Sequence, residues 1–300
     1  MEPAFELVDE GLAARLDVRR PVLVRAWLAD GDAPAASQAA ERVRSALGHL
    51  QAFGLRPIGE LRTELVRDSD WTAQGRAHFP VLRVGERFVV RPTWRRYRRR
   101  PGDLVLALDP GVAFGTGLHP TTRLCLLGME AWGADRPARG AGAPAPDAGP
   151  EGGRVAGARV LDVGSGSGIL SLAAVRLGAG TVLAVDVDPL AVEATDANAR
   201  RNRMGRSIVA RAGSVPTGEP PFDLVLANLV ASILVSLAAW LHAEVRPGNG
   251  TPGSGGRLLA SGIIVDREPE VRRAFGAAGF HLLRRWEEGD WVALEAERID

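Results

Sequence analysis

Seven residues, Asp162-Val163-Gly164-Ser165-Gly166-Ser167-Gly168, follow one apolar run and lead into another. Glycines there let the backbone turn sharply and let a ligand approach closely. Nicotinamide and flavin sites use such a turn too, so the spacing has to discriminate. A dinucleotide fingerprint needs G-x-G-x-x-G or A. Counting from Gly164 puts Ile169 at the last position, and counting from Gly166 puts Ser171 there. Neither fits well. An acidic residue at Asp162 would repel a diphosphate and suits a cationic ligand. The bland alternative is a turn with no ligand.

Asp186 ends the next apolar run, 18 residues after Gly168. A carboxylate at that place can accept both hydroxyls of a ribose. Beside it, Asp188-Pro189 reads as a helix start, with Asp188 as N-cap and Pro189 in the first turn. Asp186 is therefore assigned to a ligand and Asp188 to structure. Asn228 stands just past a further apolar run, in Ala227-Asn228-Leu229-Val230-Ala231. Ligands of open α/β sheets sit outside the carboxyl ends of the strands. An Asn carbonyl there can accept an N–H from a substrate amine and so orient its nitrogen; the plainer reading is an Asn that finishes a strand.

A fourth segment, Asp109-Pro110-Gly111-Val112-Ala113-Phe114-Gly115-Thr116-Gly117-Leu118-His119-Pro120-Thr121-Thr122, is a glycine-rich loop entering a helix. It lacks the Lys of a phosphate-binding P-loop. Glycines around Phe114 suggest a lid that carries an aromatic ring, and Thr121 and Thr122 can bond a ligand or cap the helix. The five histidines are scattered without ligand spacing, and one cysteine makes no thiolate site, so no metal site is expected. Gly164-Ser165-Gly166 lacks the spacing of a hydrolase elbow.

The elements that must position these residues are legible in outline. Residues 20–95 read as a small α/β unit, with a strand at 22–28, a helix at 34–53 and strands at 60–67 and 88–90. From Leu104 on, apolar strands alternate with helical segments. Strands are expected at 160–163, 181–186, 208–210, 222–227, 257–261, 281–286 and 291–296, and helices at 169–177, 189–202, 233–242 and 268–278. This alternation implies a doubly wound, mostly parallel sheet. Residues 133–157 and 247–256 are rich in Gly, Ala, Pro or Ser and are expected to be mobile loops. The basic run Arg91-Pro92-Thr93-Trp94-Arg95-Arg96-Tyr97-Arg98-Arg99-Arg100 carries two aromatics. It reads as a solvated hinge, because charge runs usually face solvent. RNA contact by phosphate neutralisation and stacking is the other reading.

The bulk properties exclude other classes. Hydrophobic residues are 46% of 300 and formal net charge is +1, so a large core can form and no strong field draws the whole molecule to nucleic acid or membrane. A single Cys125 forbids an intramolecular disulfide and suits a reducing compartment. The first residues are acidic and lack an apolar signal core, and no stretch approaches the roughly 20 apolar residues of a membrane helix. A soluble cytoplasmic protein is expected.

The D-x-G-x-G-x-G pattern resembles motif I of class I methyltransferases. The 109–122 loop and Asn228-Leu229-Val230-Ala231 together resemble the bacterial ribosomal protein L11 methyltransferase family, whose loop reads much like D-P-G-x-A-F-G-T-G-x-H-P-T-T and whose fourth-strand motif is usually N-I-L-A. Trp71, Phe79-Pro80, Gly85-Glu86-Arg87, Pro92-Thr93-Trp94 and the ending Glu288-Gly289-Asp290-Trp291-Val292-Ala293-Leu294 are similar to that family as well, so the resemblance spans about residues 20–298. It implies a seven-stranded methyltransferase sheet over 104–300, a substrate-recognition domain over 1–82 and a linker over 83–103. It implies that S-adenosylmethionine is held by Thr122, Asp162, Gly164, Gly166, Gly168, Asp186 and Asn228, that Asn228 also stands near the acceptor amine, and that Phe114 packs over the site. The substrate would be ribosomal protein L11, modified on a Lys side chain or its N-terminal amine. An amine must lose a proton before it attacks a sulfonium methyl, since a free Lys has a pKa of about 10.4 and an α-amine about 8. His119 is a candidate base but is expected to shape the loop, with proton loss to water and Asn228 orienting the amine. Another protein lysine, a small molecule, an RNA-binding scaffold and a non-catalytic cofactor sensor are the competing readings.

Overall fold

Strands buried on both faces read as near-continuous apolar runs, and this protein has three of them side by side. The computed structural model describes residues 41, 43, 44, 79–109, 117–135 and 157–300. The chain divides into two units, Met1–His78 and Phe79–Asp300. Glu41, Val43 and Arg44 are helical, inside the helix expected at 34–53; the strands expected at 22–28 and 60–67 lie outside the described residues.

The second unit begins with β1 (Leu82–Val84), β2 (Phe88–Pro92) and β3 (Leu104–Leu108), followed by α1 (Pro120–Asp135). Then come β4 (Arg159–Val163), α2 (Ile169–Arg176), β5 (Thr181–Asp186), α3 (Pro189–Arg201), β6 (Ile208–Ala212) and β7 (Leu224–Asn228). The chain closes with α4 (Ala231–Glu244), β8 (Arg257–Ile264), α5 (Glu268–Ala277), β9 (Phe280–Glu288) and β10 (Trp291–Arg298). Seven strands form one sheet in the order β6-β5-β4-β7-β8-β10-β9. β10 runs antiparallel to both its neighbours, and the pairs from β6 to β8 are parallel. The expected doubly wound, mostly parallel sheet is present, and its strand order reverses between β4 and β7.

Side-chain alternation along the strands builds two cores. Val160, Val182, Ala184, Leu224 and Leu226 face a cluster that contains Leu126 and Met129 of α1 and Leu170 and Ala173 of α2. Leu161, Val163, Val185, Val225 and Ala227 face the other cluster, with Leu234 and Leu241 of α4 and Val271 and Phe275 of α5. Parity then directs Asp162, Asp186 and Asn228 toward the α1–α2 side.

Residues 83–103, expected as a linker, are built into this unit instead. β1, β2 and β3 form their own sheet, antiparallel then parallel, and Val84, Phe88, Val90, Leu104, Leu106 and Leu108 join the α1–α2 core. The β1–β2 turn is held from α1: Glu130 accepts the N–H groups of Glu86, Arg87 and Phe88 at 3.0, 2.8 and 3.1 Å. Gly85 sits there at φ 62°, where an added Cβ would lie 2.1 Å from Glu130 Oε2. The helix α1 continues through Asp135, so the first residues of the expected loop 133–157 are helical; 136–156 lie outside the described residues.

The segment 247–256 is also not the untethered loop its composition suggests. Gly248 and Gly250 donate to the carbonyls of Asp300 and Ile299, and Gly253 and Gly255 donate to the buried carboxylate of Glu297. Glycine content leaves backbone donors uncovered, and the C-terminal strand supplies the acceptors.

Candidate active site

The register brings the sequence-predicted residues to one edge of the sheet. Val163 pairs with Val185 on one side and Ala227 on the other. The next residue along each strand is Gly164, Asp186 or Asn228, so the carboxylate and the carboxamide flank the glycine turn at the point of strand reversal. Ligands of open α/β sheets bind there.

The turn is possible because Gly164, Gly166 and Gly168 take φ of 72°, 53° and 77°. A Cβ on Gly164 would approach Leu229 Cδ2 to 2.5 Å, and one on Gly168 would lie 3.0 Å from Thr195. The N–H groups of Gly164 and Ser165 donate to Val185 O, that of Gly168 to Ser165 O, and that of Gly166 to Asp186 Oδ2. Four loop donors thus already have protein acceptors. A pyrophosphate site needs such donors pointing at the ligand; this loop fits an uncharged or cationic ligand.

Asp186 accepts from Gly166 N–H through Oδ2 at 2.9 Å and from Asp188 N–H through Oδ1 at 3.0 Å. Each oxygen retains a lone pair, so the half-buried carboxylate can still accept hydroxyl donors. Asp188 caps α3 as expected, accepting from Leu190 N–H at 2.9 Å with Pro189 next in line.

Asn228 and Thr122 come together from 106 residues apart: Asn228 Nδ2 lies 3.5 Å from Thr122 Oγ1. Thr122 is fully buried in the first turn of α1, and Asn228 is half-buried. Donating Nδ2 to Thr122 turns the carboxamide oxygen the other way, which leaves an acceptor at the sheet edge. His119 Nδ1 lies 2.8 Å from Thr121 Oγ1, and its ring meets Trp291 edge-on at 4.8 Å between centroids. It shapes the entrance to α1. Phe114 lies outside the described residues.

Asp162, read from the sequence as suited to a cationic ligand, lies beneath the glycine turn. It is 1% exposed, and its Oδ2 accepts both from Ser171 N–H at 3.0 Å and from Ser171 Oγ at 2.6 Å. The cause is its depth along β4: Asp162 pairs with Ala184 and Leu226, two positions short of Asp186 and Asn228, so it lies under the helix layer while they reach the sheet edge. Burial pushes its pKa up to about 6, against the Ser171 bonds that favour the anion, and the charge of Asp186 adds to the rise. A carboxylate whose pKa is higher folded than unfolded favours folding most below its unfolded value. That contribution is lost as pH climbs through about 6. Replacement by Asn keeps a carbonyl acceptor for Ser171 and removes the charge. We expect Asp162→Asn to gain on wild type by roughly 3 kcal/mol between about pH 4 and pH 7, read from urea unfolding at several pH values. A difference that stays flat across that range would contradict the placement.

Sequence reasoning missed a polar face on α3. Thr195 Oγ1 donates to Gly166 O at 3.0 Å, Asn198 Nδ2 donates to Ser167 O at 2.9 Å, and Asn202 Nδ2 donates to Ala107 O at 2.7 Å. Asn198 Oδ1 also accepts from Asp109 N–H, and Asn202 Oδ1 from Ala107 N–H. These three buried side chains tie the glycine turn to the strand that feeds the 109–122 loop. Their spacing of three and four on one helix face was the available signal.

A sheet of this order, with one antiparallel strand inserted near its end and a glycine turn flanked by an acid and an amide, defines a class I methyltransferase architecture. The family model described as ribosomal protein L11 methyltransferase matches residues 18–299. The chain belongs to that family. The ribosomal protein L11 methyltransferase of Chloroflexus aurantiacus is 39% identical, with 99% of this chain and 89% of the relative covered. That of Geobacter sulfurreducens is 41% identical over 90% of this chain and 80% of the relative. Among solved structures, the ribosomal protein L11 methylase of Lactobacillus delbrueckii subsp. bulgaricus superposes with a TM-score of 0.57 at 28% identity, covering 73% of this chain and 99% of that one.

Proposed function

We propose that this protein transfers methyl groups from S-adenosylmethionine to amino groups of ribosomal protein L11, on Lys side chains, the N-terminal amine or both. The observation that carries the chemistry is the Asn228–Thr122 pair beside the glycine turn at the strand reversal. Family membership and the names of the relatives support the substrate. The residues present fit the cofactor: a turn without spare donors for a diphosphate, and an acid with spare lone pairs at the next strand end.

S-adenosylmethionine supplies an electrophilic methyl on a sulfonium, and the protein supplies position and desolvation. In this reading Gly164, Gly166 and Gly168 let the backbone approach the cofactor, Asp186 accepts from its ribose hydroxyls, and Thr122 and Asn228 close the other side. Asp162 acts through Ser171, holding the start of α2 against β4. The carboxamide oxygen of Asn228 accepts one N–H of the acceptor amine and directs its lone pair, while proton loss to water leaves the amine neutral. The role expected for Phe114, as the aromatic of the 109–122 loop, belongs to the same reading. The N-terminal residues, expected as a domain over 1–82, recognise the ribosomal protein, and the cytoplasm is the compartment.

The test is tritiated-methyl transfer from S-adenosylmethionine to purified ribosomal protein L11, with total cell protein and RNA alongside. Label in the ribosomal protein is the expected result. Label only in another protein would overturn the substrate and keep the chemistry. Asp186→Ala is expected to weaken cofactor binding about 100-fold by titration calorimetry, because hydrogen bonds to a charged acceptor contribute roughly 1.5–3 kcal/mol. A dissociation constant within threefold of wild type would remove Asp186 from the cofactor site.

A further inference from the structure

We propose that the 93–103 crossover between β2 and β3 is an RNA-docking surface that grips three successive backbone phosphates. From Arg87 to Arg100 the chain carries seven arginines and no acidic residue, although the whole protein has a net charge of only +1. A run of that kind in a hinge would be solvated and without shape. Here it joins two parallel strands of one sheet, paired in register from Phe88–Leu104 to Pro92–Leu108.

Asp103 gives the crossover a fixed form. It is 2% exposed and accepts from Arg83 Nη2 at 2.5 Å, Tyr97 Oη at 2.7 Å and Arg100 N–H at 2.7 Å. Arg99 Nε donates to its carbonyl at 3.0 Å. Burial alone would raise its pKa, but these donors outweigh burial and hold it at about 2, so the clamp stays charged at any physiological pH. At the other end Arg91 Nη1 donates to the carbonyls of Pro92, Thr93 and Arg95. Trp94 is braced edge-on by Phe79.

Arg83, Arg91 and Arg99 are thus spent on holding the loop. Arg96, Arg98 and Arg100 are exposed, and no carboxylate or carbonyl among the described residues engages their guanidinium groups. Three always-charged forks on a braced turn match a run of phosphates, since guanidinium groups bind phosphate in a bidentate way and a preorganised surface loses little entropy on binding. A basic protein partner would be repelled by this patch, and an isolated small anion would need only one of the three. The repeated spacing of charge along a strand of RNA uses all of them.

The experiment measures binding of the full-length protein to a fluorescently labelled single-stranded 20-nucleotide RNA between 50 and 200 mM salt, with a poly-glutamate peptide of similar charge as a second probe. Three phosphates neutralised on a single strand imply an affinity that falls about 20-fold over that range. The variant carrying Arg96→Gln, Arg98→Gln and Arg100→Gln is expected to lose that salt-dependent binding by at least tenfold at 50 mM. Its methyl transfer to isolated ribosomal protein L11 is expected to stay within about twofold of wild type, which separates this surface from the catalytic site. RNA binding that is absent, or unchanged in the triple variant, would overturn the proposal. So would poly-glutamate binding as tightly as RNA.

Discussion

Asn228→Ala is expected to lower the rate of methyl transfer by about 10²- to 10³-fold while changing the affinity for S-adenosylmethionine far less. The side chain stands at the end of β7, where backbone pairing to β8 runs through Asn228–Ser261 and Leu229 N–H donates to Ser261 O at 3.0 Å. Those main-chain bonds survive the substitution, so the edge of the sheet keeps its form. What is lost is the carboxamide that Thr122 orients. Misplacing a reacting group by about 1 Å can cost roughly 100-fold, and removing a preorganised polar group facing the reaction costs roughly 10²–10³-fold. Single-turnover transfer to ribosomal protein L11 under saturating cofactor reads this directly. If the rate stays within a factor of three, the amine is oriented by something other than Asn228. With Asn228 in that role, Thr122→Val is expected to produce a smaller loss of the same kind, because it removes the partner and keeps the amide.

The second large effect concerns stability, far from the chemistry in sequence. Glu297 in β10 is fully buried, accepts from Gly253 N–H at 2.7 Å and Gly255 N–H at 3.1 Å, and forms an ion pair with Arg257 Nη1 at 2.5 Å that lacks hydrogen-bond alignment. Arg257 Nε also forms an ion pair with the buried Glu295 at 3.3 Å. Glu297→Ala leaves the Arg257 guanidinium short of a counter-charge and two glycine N–H groups unmatched. Breaking one side of a buried ion pair costs roughly 3–5 kcal/mol. For a unit of this size that lowers Tm by about 10 °C in circular-dichroism melting. Glu297→Gln, which keeps an acceptor and loses the charge, should fall between the two. A Tm within 2 °C of wild type for the Ala variant would mean the 247–256 segment is tethered by other means.

The pH dependence of this cluster has two opposing signs. Burial acts to raise the pKa of Glu297, yet the Gly253 and Gly255 N–H groups and Arg257 hold it below the usual carboxylate value. Its contribution is present above about 4.5 and is lost as pH falls through the lower folded value. Glu295 is raised instead, because burial dominates over Arg284 and Arg257. Its contribution is strongest at low pH and fades as pH rises, in the same sense as Asp162.

Much of this protein was legible from short stretches of chain. The glycine turn at 164, 166 and 168, the Asp188–Pro189 helix start and the apolar runs of β4, β5 and β7 follow from backbone sterics, capping and burial, each acting over a few residues. The place of Asp162, two residues short of the turn that Asp186 and Asn228 flank, was equally readable along β4. The fate of the arginine run was not readable. Whether 91–100 bends freely or stands braced depends on Asp103 meeting Arg83 from 20 residues away, and on β2 pairing in parallel with β3.

Residue types and spacing determined by themselves that the chain would carry a ligand turn at the reversal of a doubly wound sheet. Sterics and periodicity are local, and a single sequence states them. Tertiary structure alone decided that Thr122 would meet Asn228, that Asn198 and Asn202 would bind the turn to β3, and that Glu297 would order a glycine-rich loop. Those outcomes rest on polar groups matched across 31 to 106 residues, where the partner is chosen by the packing of layers rather than by neighbours in the chain.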